Sequence, residues 1–208
     1  MLCTHRFLDE ATARFLADDA PGQVVLLGAG YDTRAWRFVD DLAGRALYEI
    51  DAPAVLTHKA ACIQERPVPI VRRRPVPLAP GDSLSSALDW AGIERGLRTL
   101  FLWDIGAVLS SRAAVKATLS TLRSVGGPGS VLAMGGWRWP DMPHEAATTT
   151  LLGEPLRFLL HPEDVAPFLS RQGFVVGQVA LPDDLARRYL RDDRPPSASA
   201  YGIIASRR

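Results

Sequence analysis

The sequence predicts an α/β fold organised on a mostly parallel sheet, and three observations carry that expectation. Val24 to Leu27 is an unbroken apolar run, the pattern of a strand buried on both faces. The run stops at Gly28-Ala29-Gly30, where glycine lets the backbone turn sharply and lets a ligand come close. A second mainly apolar run, Ala46 to Asp51, ends in an acid roughly 20 residues beyond the glycines, where a strand-end carboxylate can bond ribose hydroxyls. A nucleotide-like cofactor across these strand ends is one reading, and an ordinary strand-to-helix turn is the other. Thr33 stands where a dinucleotide fingerprint needs a third glycine, which argues against NAD and leaves room for a mononucleoside-type cofactor.

The remaining elements follow in order. Phe7 to Ala20 reads as a helix, with Phe7, Leu8, Ala11, Phe15 and Leu16 close to one face. Ala52-Pro53 opens another that runs to about Glu65, since proline suits a first helical turn. The stretch from Arg66 to Pro77 holds Arg72-Arg73-Arg74, which invites a phosphate-binding reading. Its prolines remove ladder donors and favour a solvated edge strand instead. Ser83 to Trp90 is a short helix, with Asp82 as its N-cap or as a ligand contact. Leu97 to Asp104 is a strand that again ends in an acid. Ser111 to Ser124 is an amphipathic helix with Val115, Leu119 and Leu122 on one face, ended by Gly126 and Gly127.

Ser130 to Gly135 is the fifth strand. Gly136 to Leu152 follows as a loop with Trp137, Arg138, Trp139, Met142 and His144. Aromatics there suit either a cover for an apolar substrate or a homodimer contact. Pro162 to Gln172 is helical; Pro167 costs about 3 kcal/mol in a helix interior, so a later start with Asp164 as cap is expected. Phe174–Leu181 and Ala200–Ala205 close the chain as an antiparallel pair around a helix from Pro182 to Leu190.

Bulk properties bound the function. At 208 residues, 47% hydrophobic and 23% charged, the chain suits one soluble domain, 1–208, with a substantial core. Its net charge of +1 points to neither a nucleic-acid nor a membrane partner. No apolar stretch approaches a membrane span, and the first residues lack a signal core, so a cytoplasmic protein is expected. Cys3 and Cys62 have no metal-ligand spacing, and no metal site is expected.

Two segments also carry a family resemblance. Val25-Leu26-Leu27-Gly28-Ala29-Gly30-Tyr31-Asp32-Thr33-Arg34, followed by Tyr48-Glu49-Ile50-Asp51-Ala52-Pro53-Ala54-Val55-Leu56 and Lys59, resembles the leucine carboxyl methyltransferase family. The resemblance implies a Rossmann-like S-adenosylmethionine (SAM) methyltransferase fold: a seven-stranded, mostly parallel sheet with an antiparallel C-terminal strand pair. It implies SAM as cofactor, held by Gly28, Ala29, Gly30 and Asp51. The family's Arg-Thr-Arg-Phe segment falls on Thr4-His5-Arg6-Phe7, so Arg6 is the candidate for the SAM carboxylate. An Asp-Leu pair of relatives is replaced by Ala79-Pro80, leaving Asp82 as the nearby acid. Trp103-Asp104 stands for a family Trp-Glu pair, which gives Asp104 the SAM amino group, and Leu109 replaces a family tyrosine. Gly153-Glu154-Pro155-Leu156-Arg157-Phe158 matches another segment, with Arg157 either orienting a substrate carboxylate or pairing with Glu154. Relatives carry a longer insertion over the substrate, so a reduced lid at about 136–152 is expected.

The implied reaction is O-methylation of a small molecule, with polyketides among the family's acceptors. A carboxylate acceptor is already ionised at neutral pH, whereas a hydroxyl needs a base. Of His5, His58, His144 and His161, His144 alone lies in a substrate-side loop, and no catalytic dyad is legible. The departures at Thr4, Ala79, Asp104 and Leu109 keep a competing reading open: a fold that catalyses without methylating, as a cyclase would, or a non-catalytic partner subunit.

Overall fold

Seven strands form one sheet: β1 (Gln23–Leu27), β2 (Ala46–Asp51), β3 (Arg72–Pro77), β4 (Thr99–Trp103), β5 (Val131–Trp137), β6 (Phe174–Ala180) and β7 (Ala200–Arg207). Their order is β3-β2-β1-β4-β5-β7-β6. The first five run parallel, and β7 lies antiparallel between β5 and β6. The fold and the C-terminal pair are those expected. The computed structural model describes residues 2–63, 72–138, 150–151, 153, 155–190 and 199–208.

The central strands β1 and β4 are buried at every residue, as an unbroken apolar run requires of a strand covered on both faces. One face is covered by α1 (Leu2–Leu16), which lays Phe7, Leu8, Ala11 and Phe15 against Val24, Leu26, Leu100 and Leu102. The other carries α6 (Arg112–Val125), whose Val115, Leu119 and Leu122 pack with Phe101, Leu132 and Phe174. The same face holds α4 (Leu84–Trp90) and α7 (Pro162–Arg171) through Leu88, Phe168 and Leu169. Two single-turn helices, α2 (Arg34–Arg37) and α5 (Gly106–Leu109), were not expected. Both follow strand ends, where 4 residues carry too little periodicity to read. The connections are completed by α3 (Pro53–Ile63) and α8 (Pro182–Tyr189).

Several boundaries differ from expectation. The first helix spans Leu2–Leu16, because Asp18 turns the chain by accepting the Ala20 N–H at 3.0 Å and Pro21 disfavours a helical residue before it. α7 begins at Pro162 with His161 as cap, so Pro167 does sit inside the helix and Asp164 is not its cap. Pro167 is on the exposed side, where water reaches the carbonyl it leaves unbonded. β5 continues to Trp137, which is 6% exposed and packs with Val108 and Ala200. Trp137 is therefore a strand residue and not part of a covering loop; Trp139, Met142 and His144 lie outside the described residues.

Candidate active site

The chain leaves β1 toward β2 and β3, then crosses back to β4 on the other side. A crevice opens at the carboxyl ends where such an order reverses, and ligands of open α/β sheets bind there. A cavity of about 210 Å³ occupies this place, lined by Gly28, Asp51, Leu78, Leu84, Trp103 and Thr118 among others. Gly28 and Gly30 adopt φ of +66° and +44°, in the region that favours glycine, so the turn after β1 depends on them. The Ala29 N–H donates to the Ile50 carbonyl at 3.0 Å, tying this turn to β2. The carboxylate of Asp51 accepts from the Gly30 N–H at 2.6 Å and from its own Ala52 N–H at 2.7 Å. A carboxylate has about four lone-pair positions, so these two bonds fix Asp51 and leave capacity for ligand hydroxyls.

Beneath Asp51, Glu49 points into the protein and is 0% exposed. Its Oε1 accepts from Lys59 Nζ at 2.9 Å, and its Oε2 from Arg73 Nε at 2.8 Å. The Glu…Lys spacing quoted from the sequence is thus a buried ion pair joining β2 to α3, and Arg73 of the edge strand completes it. β3 is the edge strand expected, with Arg72, Pro75 and Pro77 exposed, but Arg74, like Arg73, turns inward and donates to the Ala91 carbonyl at 2.5 Å. Asp32-Thr33-Arg34 has a similar structural role. Arg34 is 3% exposed, pairs with Asp32 and reaches Asp9 of α1 at 2.8 Å. Asp9 is also held by both terminal nitrogens of Arg37, at 2.5 and 3.0 Å. This contact raises the Arg37 pKa, above all through the hydrogen bonds that Arg37 donates to Asp9. The pairs Asp9–Arg34 and Glu49–Arg73 were not singled out from the sequence, because their partners lie on different elements, whereas Asp32–Arg34 and Glu49–Lys59 fall inside the quoted motifs.

The remaining candidates divide. Gly28, Ala29, Gly30 and Asp51 come together at the crevice. Asp104 stands at the end of β4, next to Trp103, and its Oδ2 lies 3.2 Å from His5 Nδ1. Burial pushes the Asp104 carboxyl above the usual carboxylate range, while His5 and Arg34 pull the other way. Asp82 is neither N-cap nor in the cavity lining: Ser83 caps α4, and Asp82 closes a turn by accepting the Ala79 N–H at 2.8 Å. Arg6 is exposed on α1. Arg157 is exposed and is tied to the fold by its backbone, whose N–H donates to the Val108 carbonyl at 2.8 Å. Its expected partner Glu154 lies outside the described residues. Beside the glycine turn a second hollow of about 520 Å³ is lined by Tyr31, Asp32, Thr33, Trp36, Lys59 and Cys62. Among the described residues no group of His, Cys, Asp and Glu is arranged to hold a metal, and no helix is long and apolar enough to cross a membrane.

A parallel sheet with an antiparallel last pair, and a glycine turn facing an acid on the next strand, define the class as SAM-methyltransferase-like. Residues 1–123 match the leucine carboxyl methyltransferase family, and the chain belongs to that family of SAM-dependent enzymes. A protein of Frankia alni, provisionally named an S-adenosyl-L-methionine-dependent methyltransferase, is 33% identical over 98% of this chain and 72% of its own. A protein of the same provisional name from Mycolicibacterium paratuberculosis is 31% identical over 79% of this chain, which spans 56% of its length. A solved DUF574 family protein from Streptomyces avermitilis superposes with a TM-score of 0.69 at 13% identity, over 99% of this chain and 83% of that one.

Proposed function

We propose that this chain transfers a methyl group from SAM to an oxygen of a small-molecule acceptor. The observation that supports it most is the Asp51 carboxylate, fixed by the Gly30 amide at the rim of the crevice. The residues present fit the adenosine end of SAM. Asp51 can accept ribose hydroxyls, Leu78, Leu84 and Trp103 offer apolar walls to a base, and the Gly28–Gly30 turn has no side chain to block approach. Pockets for whole small ligands run from about 300 to 1,000 Å³, so a 210 Å³ cavity suits the nucleoside while the rest of the ligand reaches outward over β4. Bound SAM supplies a methyl already activated on a sulfonium. The protein's part is to bind it, exclude water and align the acceptor oxygen behind the methyl carbon.

On this reading the chain is one domain over 1–208, with a short cover at about 136–152. Arg6 and Asp104 are candidates for the amino-acid end of SAM, and Arg157 and His144 for the acceptor side. A polyketide carboxylate or hydroxyl is an acceptor of suitable chemistry, and a homodimer is a candidate assembly. Calorimetric titration with SAM and S-adenosylhomocysteine tests the reading. We expect micromolar binding that Asp51→Ala weakens by roughly 10–100-fold, the worth of losing charge-assisted hydrogen bonds. A folded protein that takes up neither ligand would sink it.

A further inference from the structure

We infer that Cys62 is a modification site, a thiol that exchanges with low-molecular-weight disulfides, with His58 as the base that takes its proton. The inference stands apart from methyl transfer and uses a different part of the molecule. Both residues are on α3, where positions i and i+4 are neighbours, and Cys62 Sγ lies 3.7 Å from His58 Nδ1. The same Nδ1 lies 2.6 Å from the Tyr31 hydroxyl. The Tyr31 and His58 rings meet edge to face, with centroids 5.7 Å apart. Tyr31 belongs to the turn after β1, so the imidazole is held between two elements and beside the thiol.

The surroundings fit a small disulfide. Cys62 and Tyr31 line the hollow of about 520 Å³ beside the glycine turn, together with Trp36 and Ile63. That volume is in the range of small-ligand sites, and aromatic and aliphatic walls suit an apolar substituent on sulfur. The charged groups in its described lining are Asp32 and Lys59. Asp32 pairs with Arg34 and Lys59 with Glu49, so each is neutralised by its own partner. Cys62 is exposed, as is His58, whereas Cys3 is half-buried and packs on the core beneath α1.

The thiolate is the species that attacks, and an isolated thiol is mostly protonated at neutral pH. In the resting state the Tyr31 O–H donates to Nδ1 of the neutral ring. When the thiol proton moves to Nδ1, the Tyr31 hydroxyl turns from donor to acceptor, since it can serve as either. The imidazolium then stands beside the thiolate as its counter-ion. The thiolate attacks one sulfur of the disulfide, a new S–S bond to Cys62 forms, and the old S–S bond breaks. Its electron pair leaves on the second sulfur, which takes the proton from His58. One disulfide is consumed and one free thiol is released, so the disulfide is the oxidant and the step balances.

The test uses the full chain and 4,4′-dithiodipyridine, an uncharged aromatic disulfide whose released thiopyridone is followed by absorbance. Wild type, His58→Gln and Cys62→Ser are compared across pH, with circular dichroism as the fold control and peptide mass mapping to locate the adduct. Wild type unfolded in urea gives the rate of each cysteine without structure. We expect the first adduct on Cys62 and none there in Cys62→Ser. At about pH 6.5, well below the ionisation of an isolated thiol, the folded wild type should react roughly tenfold faster than His58→Gln. The gain is the larger thiolate fraction, less what a weaker nucleophile gives back. The folded rate should also fall less steeply toward acid than that of Cys62 in urea. First reaction at Cys3, a His58→Gln variant as fast as wild type, or a folded pH profile parallel to the unfolded one overturns the proposal. If His58→Gln does not fold, the wild type alone decides: folded Cys62 that is no faster than unfolded Cys62 at the same pH overturns it.

Discussion

Replacing Glu49 by Gln tests how the site end of β2 is held. Glu49 is fully buried and serves two cations, Lys59 at 2.9 Å and Arg73 at 2.8 Å. The substitution keeps the size and removes the charge. It strands Lys59, which is 2% exposed, and leaves Arg73, with a side chain 15% exposed, better able to reach water. Removing one partner of a buried pair costs about 3–5 kcal/mol. The Trp36 ring, 5.9 Å from Lys59 Nζ, offsets part of this by its attraction for a cation. A chain of this size loses about 2–4 °C of Tm per kcal/mol, so a fall of roughly 6–20 °C is expected. The control is the double replacement Glu49→Leu with Lys59→Met, which removes both charges at similar volume and should recover most of the loss. Urea unfolding followed by circular dichroism and tryptophan fluorescence measures both. If the single and double variants lose the same stability, or the single loses under about 1 kcal/mol, the buried charge is not what holds β2 to α3.

Two further outcomes follow from named contacts. A Cβ at Gly136 would lie 2.4 Å from two ring carbons of Tyr201, which is fully buried and anchored by its hydroxyl to the Leu160 carbonyl at 2.6 Å. Gly136→Ala should therefore destabilise at the upper end of about 1–3 kcal/mol, and a thermal melt that matches wild type would mean that the ring can retreat. Asp104→Asn should alter the pH dependence of stability. Burial raises the Asp104 pKa in the folded state, so the wild type holds that proton more tightly folded than unfolded and loses stability as pH rises through the carboxylate range. The variant should be near parity in acid and gain on the wild type toward neutral pH in a series of urea midpoints. A wild type that gains on the variant instead would show that His5 and Arg34 outweigh burial.

The parts of this molecule that were legible share one property: their signal is local. Val24–Leu27 has no polar residue, the glycines lie at the turn they make, and the 115/119/122 spacing marks one face of a helix, so each could be read within about ten residues. The acid at Asp51 was legible because it is the last residue of a strand whose length is itself a pattern. Asp82 as an N-cap was a misreading, because an acid beside a helix start satisfies either of two turns, and only coordinates show Ser83 taking the cap. Trp137 was misread because Gly135-Gly136 looks like a strand terminus. The glycines are instead demanded by Asp104 and Tyr201, which press on them from outside the strand. His5 carried no local signal, since its partner is on another element.

The two family motifs show why a sequence signature can identify a fold more firmly than a reaction. Of the residues in Asp32-Thr33-Arg34, the acid and the arginine are engaged with each other and with Asp9, so their side chains dock α1 onto the sheet. Of those in Glu49…Lys59, both are consumed in a buried pair. Of the charged side chains in these motifs, Asp51 is the one at the rim of the crevice. Asp104, after β4, and Leu109, in α5, are positions where this chain departs from the family pattern. Charged motif residues that are spent on packing mark how the sheet and its helices are joined, so they identify the fold while leaving the chemistry of an acceptor to other side chains.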